Sequence, residues 1–232
     1  MLVETMWPAF CRICGRPGSY ICPNCRKNRI EKVYEHYCHV CGVVARKQLV
    51  HSECLQYTYL DGVYVGYDYS GAVEDMLKEI KYKGYSTLVD ALTQPLKEEL
   101  ISWASKTGSD LVTFVPTVRK RKWSRGFNQS ELVAKLVGAA VNMKVVGCLR
   151  RKSYNHSQVG SGAEERKANV SGSFELAPGI NLERRRVLLV DDVMTTGATL
   201  EVCAKVLKQT GADRVFGLVI ARRRPASTED ML

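Results

Sequence analysis

No stretch of this 232-residue chain is both apolar and long enough to span a bilayer, which takes about 20 residues. The start, Met1 to Phe10, lacks a basic leader followed by an apolar stretch, so no secretory signal is expected and a cytoplasmic location follows by default. No Gly-x-x-x-x-Gly-Lys-Ser/Thr sequence occurs, which sets aside a P-loop nucleotidase. Acidic side chains are in deficit: 24 Asp and Glu stand against 34 Lys and Arg, a net charge of +10 at neutral pH. Such an imbalance favours polyanionic partners, whether nucleic acid, phosphorylated small molecules or an acidic membrane surface, and plain solubility accounts for it equally. Cysteine is scarce over most of the chain. Of the nine, only Cys148 and Cys203 follow Cys54, and their apolar surroundings suit small core residues.

The other seven cysteines crowd into Cys11 to Cys54. In a cytosolic chain that clustering argues for metal rather than disulfides. Cys11-x-x-Cys14 and Cys22-x-x-Cys25 are paired knuckles, and two such pairs complete a tetrahedron closed to water. Cys38-x-x-Cys41 and His51-x-x-Cys54 repeat the pattern with one imidazole, against which stands a surface His beside a metal-free knuckle. The reading is a double zinc ribbon with ligands paired sequentially, holding one or two structural zinc ions; spacing alone also permits interleaved pairing. A segment so short and poor in aliphatics needs the metal to fold, and structural zinc supplies about 10–16 kcal/mol in small fingers. Four ligands with no vacancy mean structure, not catalysis. Arg12, Arg16, Arg26, Lys27 and Arg29 could face DNA or simply be solvated.

The organisation changes near residue 58. Residues 1–57 form the expected zinc module, and residues 58–232 alternate strand and helix patterns, which implies an α/β domain with a parallel sheet flanked by helices. Tyr57 to Tyr69, with turn residues Asp61–Gly62, reads as a strand pair. Val73, Met76, Leu77 and Ile80 recur at helical spacing, and Gly84 closes that helix. A second helix is expected from Thr87 to about Ser105, a strand over Asp110 to Val115, and a helix through Leu132, Val133, Leu136, Val137 and Ala140. Val187 to Val190 and Val215 to Ile220 read as buried strands, with a helix between them that ends at Gly211. The Ser-, Gly- and charge-rich stretch from Lys152 to Gly172 reads as a long mobile loop of the kind that forms lids.

The strongest chemistry lies in Val187 to Thr199. A buried strand delivers Asp191 and Asp192 to the edge where parallel sheets place their ligands, and Thr195, Thr196, Gly197, Ala198 and Thr199 lead into a helix. Free amides at that helix start, with the threonine hydroxyls and a glycine that admits close approach, suit a phosphate. The carboxylates would repel a phosphate, so they suit vicinal sugar hydroxyls or a bridging magnesium ion. This segment resembles the phosphoribosyl pyrophosphate (PRPP) motif of type I phosphoribosyltransferases. By that resemblance, Asp191 and Asp192 hold the ribose 2′- and 3′-hydroxyls, as the catalytic pair, and Thr195 to Thr199 hold the 5′-phosphate.

A second segment, Val115-Pro116-Thr117-Val118-Arg119-Lys120-Arg121-Lys122-Trp123-Ser124-Arg125-Gly126-Phe127-Asn128-Gln129, follows the earlier strand. Its cations could clamp a pyrophosphate or a nucleic-acid backbone, and Trp123 could stack on a base or serve as scaffold. Here the likeness narrows. The Cys knuckles, Lys81-Tyr82-Lys83-Gly84, Arg125-Gly126-Phe127-Asn128-Gln129, the spaced set Gln158, Arg166, Asn169 and Phe174, and the PRPP motif resemble, in order, the ComF/GntX family of competence-associated, phosphoribosyltransferase-like proteins. The resemblance implies a type I phosphoribosyltransferase-like fold behind a zinc-ribbon module, with Mg²⁺–PRPP as ligand. It puts the pyrophosphate loop on Thr117, Val118, Arg119 and Lys120, with Lys81 and Lys83 reaching the same phosphates and Arg121, Lys122 and Arg125 completing the basic loop. It further implies DNA uptake as the setting, with single-stranded DNA and a helicase as partners. Thr117–Val118 departs from the Leu-His pair frequent in the family, and Thr195 stands where purine enzymes place an Asp, which argues against purine salvage. No general base or acceptor pocket can be read from the residues, so pentosyl transfer and its acceptor stay open.

Overall fold

The structure is a computed structural model, and it describes residues 9–33, 37–45, 49–117, 126–152 and 172–223. The expectations for Val118, Arg119, Lys120, Arg121, Lys122, Trp123 and Arg125, for Gln158, Arg166 and Asn169, and for most of the lid lie outside the described residues.

Among the described residues four strands form one parallel sheet: β1 (Gly62–Asp68), β2 (Leu111–Phe114), β5 (Arg186–Met194) and β6 (Arg214–Arg222), in the spatial order β1-β6-β5-β2. β3 (Leu149–Arg151) and β4 (Phe174–Leu176) make a separate antiparallel pair. The central strands read as unbroken apolar runs because both their faces are covered. Leu188 and Val190 of β5, with Phe216, Leu218 and Ile220 of β6, meet a layer built from α2 (Gly71–Lys83), α3 (Thr87–Thr93), α4 (Lys97–Thr107) and α5 (Gln129–Val141). Val187, Leu189, Val215 and Val219 meet α6 (Ala198–Gln209) through Leu200, Cys203 and Leu207, with Phe174 and Leu149 beside them. Within the first layer Trp103 tilts against Tyr64 and stands edge-on to Phe216, with centroids 5.6 and 6.2 Å away.

Val73, Met76, Leu77 and Ile80 are buried as their spacing predicts, and Gly84 ends α2 in the left-handed conformation, φ 75°. The helix expected from Thr87 to about Ser105 is broken instead. α3 stops at Thr93, Gln94–Leu96 form a 3-10 turn, and α4 resumes at Lys97. Pro95 is the cause, since it lacks an amide donor and its ring crowds the preceding turn. The strand pair expected over Tyr57 to Tyr69 is a single strand, β1, preceded by the 3-10 turn Ser52–Tyr57. Tyr59 N donates to the Glu201 carboxylate and Asp61 N to the Val215 carbonyl, so neither amide is left for a hairpin ladder. β5 runs four residues beyond the expected Val190, carrying both acids inside the strand and in register with β6 to Met194–Arg222.

In the described part of the cysteine-rich segment α1 (Pro23–Asn28) is a short α-helix, and the segment leans on the sheet domain. Ile21 and Ile30 are buried in the same cluster as the α2–α5 layer, and Val33 N donates to Gly66 O at 2.9 Å along the free edge of β1. No helix among the described residues is long and apolar enough to cross a membrane.

Candidate functional site

β2 and β5 are neighbours and parallel, so the segments that leave them emerge together at the carboxyl edge of the sheet. β5 presents Asp191 and Asp192 there in unlike settings. Asp191 is buried, at 8% exposure, and its Oδ1 accepts from Ser130 Oγ at 2.8 Å and from the Asp192 amide at 2.9 Å. Burial drives its pKa well above the ordinary carboxylate value, and the Asp192 charge beside it adds to the rise, against partial relief from Ser130 and the amide. Asp192 is half-buried, with Oδ1 accepting from the Val193 amide at 2.8 Å.

Beyond Met194 the chain turns through exposed Thr195 and Thr196 to Gly197, whose φ of 79° is open to glycine with little strain. The first amide of α6 to find a helical carbonyl is that of Glu201, donating to Gly197 O at 2.9 Å. Amides ahead of it lack helical acceptors, and that is the geometry that receives an anion. Ala198 N makes one long contact, 3.4 Å, with Thr196 Oγ1.

On the neighbouring strand, Val115 N donates to Val190 O at 2.9 Å, and Pro116 and half-buried Thr117 follow. The return of this loop is fixed by Asn128, whose Nδ2 donates to Val115 O at 3.0 Å. Asn128, Gln129 and Ser130 are all buried. Asn128 thus ties the start of α5 back to the end of β2, and Ser130, directly after the Asn128–Gln129 end of the motif, grips Asp191. Sequence reasoning missed Ser130; its place directly after that motif was the available signal. Phe127 packs near the end of α2, where a Cβ on Gly84 would stand 4.0 Å from its ring. Lys83 bridges Glu79 at 2.8 Å on the exposed side of α2, and Lys81 lies over the Tyr82 ring at 5.6 Å.

The structure gathers the thiols of Cys11, Cys14, Cys22 and Cys25 within 4.8 Å of one another, and does the same for the donors of Cys38, Cys41, His51 and Cys54. The sequential sets meet; the interleaved ones do not. A zinc tetrahedron with Zn–S near 2.3 Å places its sulfurs about 3.8 Å apart, and Cys14 Sγ lies 3.7 Å from Cys22 Sγ. In the second set Cys41 Sγ lies 3.3 Å from His51 Nδ1, while His51 Nε2 contacts the Val44 carbonyl at 3.1 Å. That carbonyl needs a proton on Nε2, which leaves the Nδ1 lone pair for a metal. Burial raises the Cys11 and Cys38 thiols, but neighbouring amides outweigh it and bring each to about 6, whereas burial and the neighbouring thiols push Cys25 and Cys54 up to about 12. Each tetrad therefore already contains one thiol disposed to ionise, and both donor sets could hold zinc.

A parallel sheet with an acid pair and an amide cradle at its carboxyl edge, carried beside two Cys-rich clusters, defines a phosphoribosyltransferase-like protein with an N-terminal knuckle segment. Residues 128–231 match the phosphoribosyl transferase domain family. The DNA utilization protein YhgH of Escherichia coli (strain K12) is 30% identical over 220 residues, covering 90% of this chain and 94% of its own. Competence protein ComFC of Bacillus subtilis (strain 168) is 25% identical over 214 residues, covering 84% and 81%. The chain belongs to the ComF/GntX family of competence-associated, phosphoribosyltransferase-like proteins. Among solved structures, a purine phosphoribosyltransferase from Pyrococcus horikoshii Ot3 aligns with 60% of this chain and 78% of its own, at 18% identity and a TM-score of 0.36.

Proposed function

We propose that the carboxyl edge of the sheet binds PRPP. The observation that carries this reading is the pairing of a Ser130-held Asp191 and a half-exposed Asp192 with the cradle at the head of α6. Asp191 and Asp192 accept from the ribose 2′- and 3′-hydroxyls. The amides at the start of α6 and the hydroxyls of Thr195, Thr196 and Thr199 hold the 5′-phosphate, with Gly197 and Ala198 letting it approach. The pyrophosphate is assigned to Thr117, Val118, Arg119 and Lys120, with Lys81, Lys83, Arg121, Lys122 and Arg125 as further cations for it. The half-exposed carboxylate of Asp192 fits a magnesium ion entering with PRPP, which would neutralise charge on the departing pyrophosphate. Zinc is our assignment for both knuckle tetrads, in a structural role.

In the enzymatic reading, a nucleophile attacks C1 of the ribose as the C1–O bond to pyrophosphate breaks. The chain's own share is then electrostatic: carboxylates facing an oxocarbenium-like ribose, and cations facing the leaving group. A second reading is favoured by the names of the relatives, which refer to DNA utilization and competence. There the chain serves DNA uptake alongside single-stranded DNA and a helicase, and PRPP acts as a bound ligand.

Calorimetric titration with PRPP and Mg²⁺ tests the common part. The wild-type chain gives saturable heat and the double variant Asp191→Asn, Asp192→Asn gives none; equal heats from both would sink the assignment. Pyrophosphate release then separates the readings. Release that rises with a base or with single-stranded DNA supports transfer, and binding without acceptor-dependent release supports the ligand role.

A further inference from the structure

The knuckle Cys38-His39-Val40-Cys41 contains a histidine to which the metal reading gives no part. Its side chain is only 7% exposed, and its Nε2 lies 3.0 Å from Glu201 Oε1 and 2.9 Å from Thr58 Oγ1. The Thr58 hydroxyl donates to the same Glu201 oxygen, and the Tyr59 amide donates to Oε2 at 3.0 Å. Leu60 N donates to Thr58 Oγ1 at 3.0 Å, fixing the hydroxyl in turn. Both oxygens of one carboxylate are therefore committed to groups 142–162 residues away in the chain. Burial pushes Glu201 up, yet the bonds from His39, Thr58 and Tyr59 hold it below the ordinary value, as a carboxylate kept ionised by its donors.

Glu201 stands in the first turn of α6, and its amide closes onto Gly197, the residue at the head of the phosphate cradle. Its side chain and its amide thus connect the distant donors to the turn that carries the cradle. The other end of the tie is not self-supporting. Among the described residues the second knuckle's own buried cluster is Cys38, Ala45 and Val50, with Val40 and Cys54 at the margin, and Val50 N donates to Asp61 O at 3.0 Å. A cluster that small does not hold a fold by itself, so the position of His39 in the chain depends on the four metal donors around it. The first knuckle differs, because its Arg12 reaches Glu79 of α2 at 3.6 Å and the Tyr85 ring rather than α6.

We propose that Glu201 is a positioning residue through which the second metal tetrad sets the phosphate cradle. With Cys38, Cys41, His51 and Cys54 gathered on a metal ion, His39 and the Thr58–Tyr59 segment hold the first turn of α6 in the shape that receives a phosphate. Loss of the metal releases that turn. The ligand half of this inference rests on the PRPP reading; the mechanical tie does not.

Hydrogen–deuterium exchange on the full, ligand-free chain tests the tie, read at the hydrogen-bonded amides of 201–203 with β5 and β6 as the fold control. Glu201→Ala in the zinc-loaded chain speeds exchange of that turn by about tenfold while the sheet keeps its protection. Glu201→Gln, which retains one acceptor oxygen, falls between. His39→Ala reproduces the effect from the other side and decides the matter should Glu201→Ala fail to fold. Zinc chelation of the wild type, at a temperature where the sheet remains protected, gives the same acceleration and adds little to Glu201→Ala, as for two changes acting on one link. Arg12→Gln, which cuts one tie of the first knuckle and none of the second, leaves the turn unchanged. A turn that stays slow in both alanine variants, or that chelation leaves as slow as before, overturns the proposal. Titration with PRPP completes the test: Glu201→Ala weakens binding by about tenfold at unchanged zinc content. A wild type that takes up no PRPP removes the binding reading, and the exchange data still judge the tie.

Discussion

Asp191 and Asp192 are adjacent in sequence and opposite in circumstance, and the difference has a consequence for stability. Burial and the neighbouring charge raise Asp191 well above the ordinary carboxylate value, with Ser130 and the Asp192 amide offsetting only part of the rise. An acid whose folded pKa is raised favours folding while both states are protonated, and that contribution is lost as pH climbs from the unfolded value, about 3.9, through the folded one. The expected outcome is that Asp191→Asn melts higher than the wild type at pH 8, with the gain shrinking as pH falls toward 4. Thermal melts of the ligand-free chain across that range check it, and a gain that grows on acidification would contradict the sign. On the proposed PRPP reading this cost has a use, because ligand hydroxyls would supply the carboxylate with partners that the empty site lacks.

At the scale of elements, β1 and the broken helix above it show how one residue sets an approach. Gly66 lies in the middle of β1, and a Cβ there would collide with Leu96 and stand 2.9 Å from the Ile220 carbonyl oxygen. Leu96 occupies that place because Pro95 breaks the α3–α4 run and drops the 3-10 turn onto the strand. The backbone carbonyl cannot move aside as a side chain can, so Gly66→Ala is expected to cost about 1–3 kcal/mol and lower Tm by about 3–10 °C; calorimetric melting gives the value. None of this packing is visible as a pattern in the sequence. What was legible rests on periodicity: Val73, Met76, Leu77 and Ile80 fixed the inner stripe of α2, and the alternation of runs fixed the parallel sheet. The extension of β5 was hidden because acidic residues read as a strand end, although pairing with β6 carries the ladder through them. β3 and β4, three residues each, are too short to show a period. For the candidate site, the acid pair, the cradle and both sets of metal donors could be read from spacing. His39 and Glu201 could not, because the groups that bind Glu201 lie 142 to 162 residues away, and Ser130, 61 residues from Asp191, was marked only by its place after the Asn128–Gln129 end of the motif.

The whole molecule is joined more closely than its two compositions suggest. Ile21 and Ile30, from the cysteine-rich segment, are buried among side chains of the α2–α5 layer, and each such burial is worth about 1.5–3 kcal/mol. Backbone bonds at Val33–Gly66, the Arg12–Glu79 pair and the Glu201 cluster add further ties across the same divide. With zinc assigned to both tetrads as proposed, a segment held by metal whose aliphatic residues complete a neighbour's core should not melt by itself. Metal analysis is expected to return about two zinc ions per chain with both tetrads filled, and His51→Ala about one. Calorimetry of the zinc-loaded chain is then expected to show one transition, with the calorimetric and van't Hoff enthalpies in agreement. Chelation should shift that single transition to lower temperature, because the loss of Ile21 and Ile30 from the core weakens the sheet domain as the knuckles open. A separate low-temperature transition, with the sheet domain melting where it did before, would mean that the two parts merely touch. The cradle at the head of α6 would then have no reason to respond to the metal.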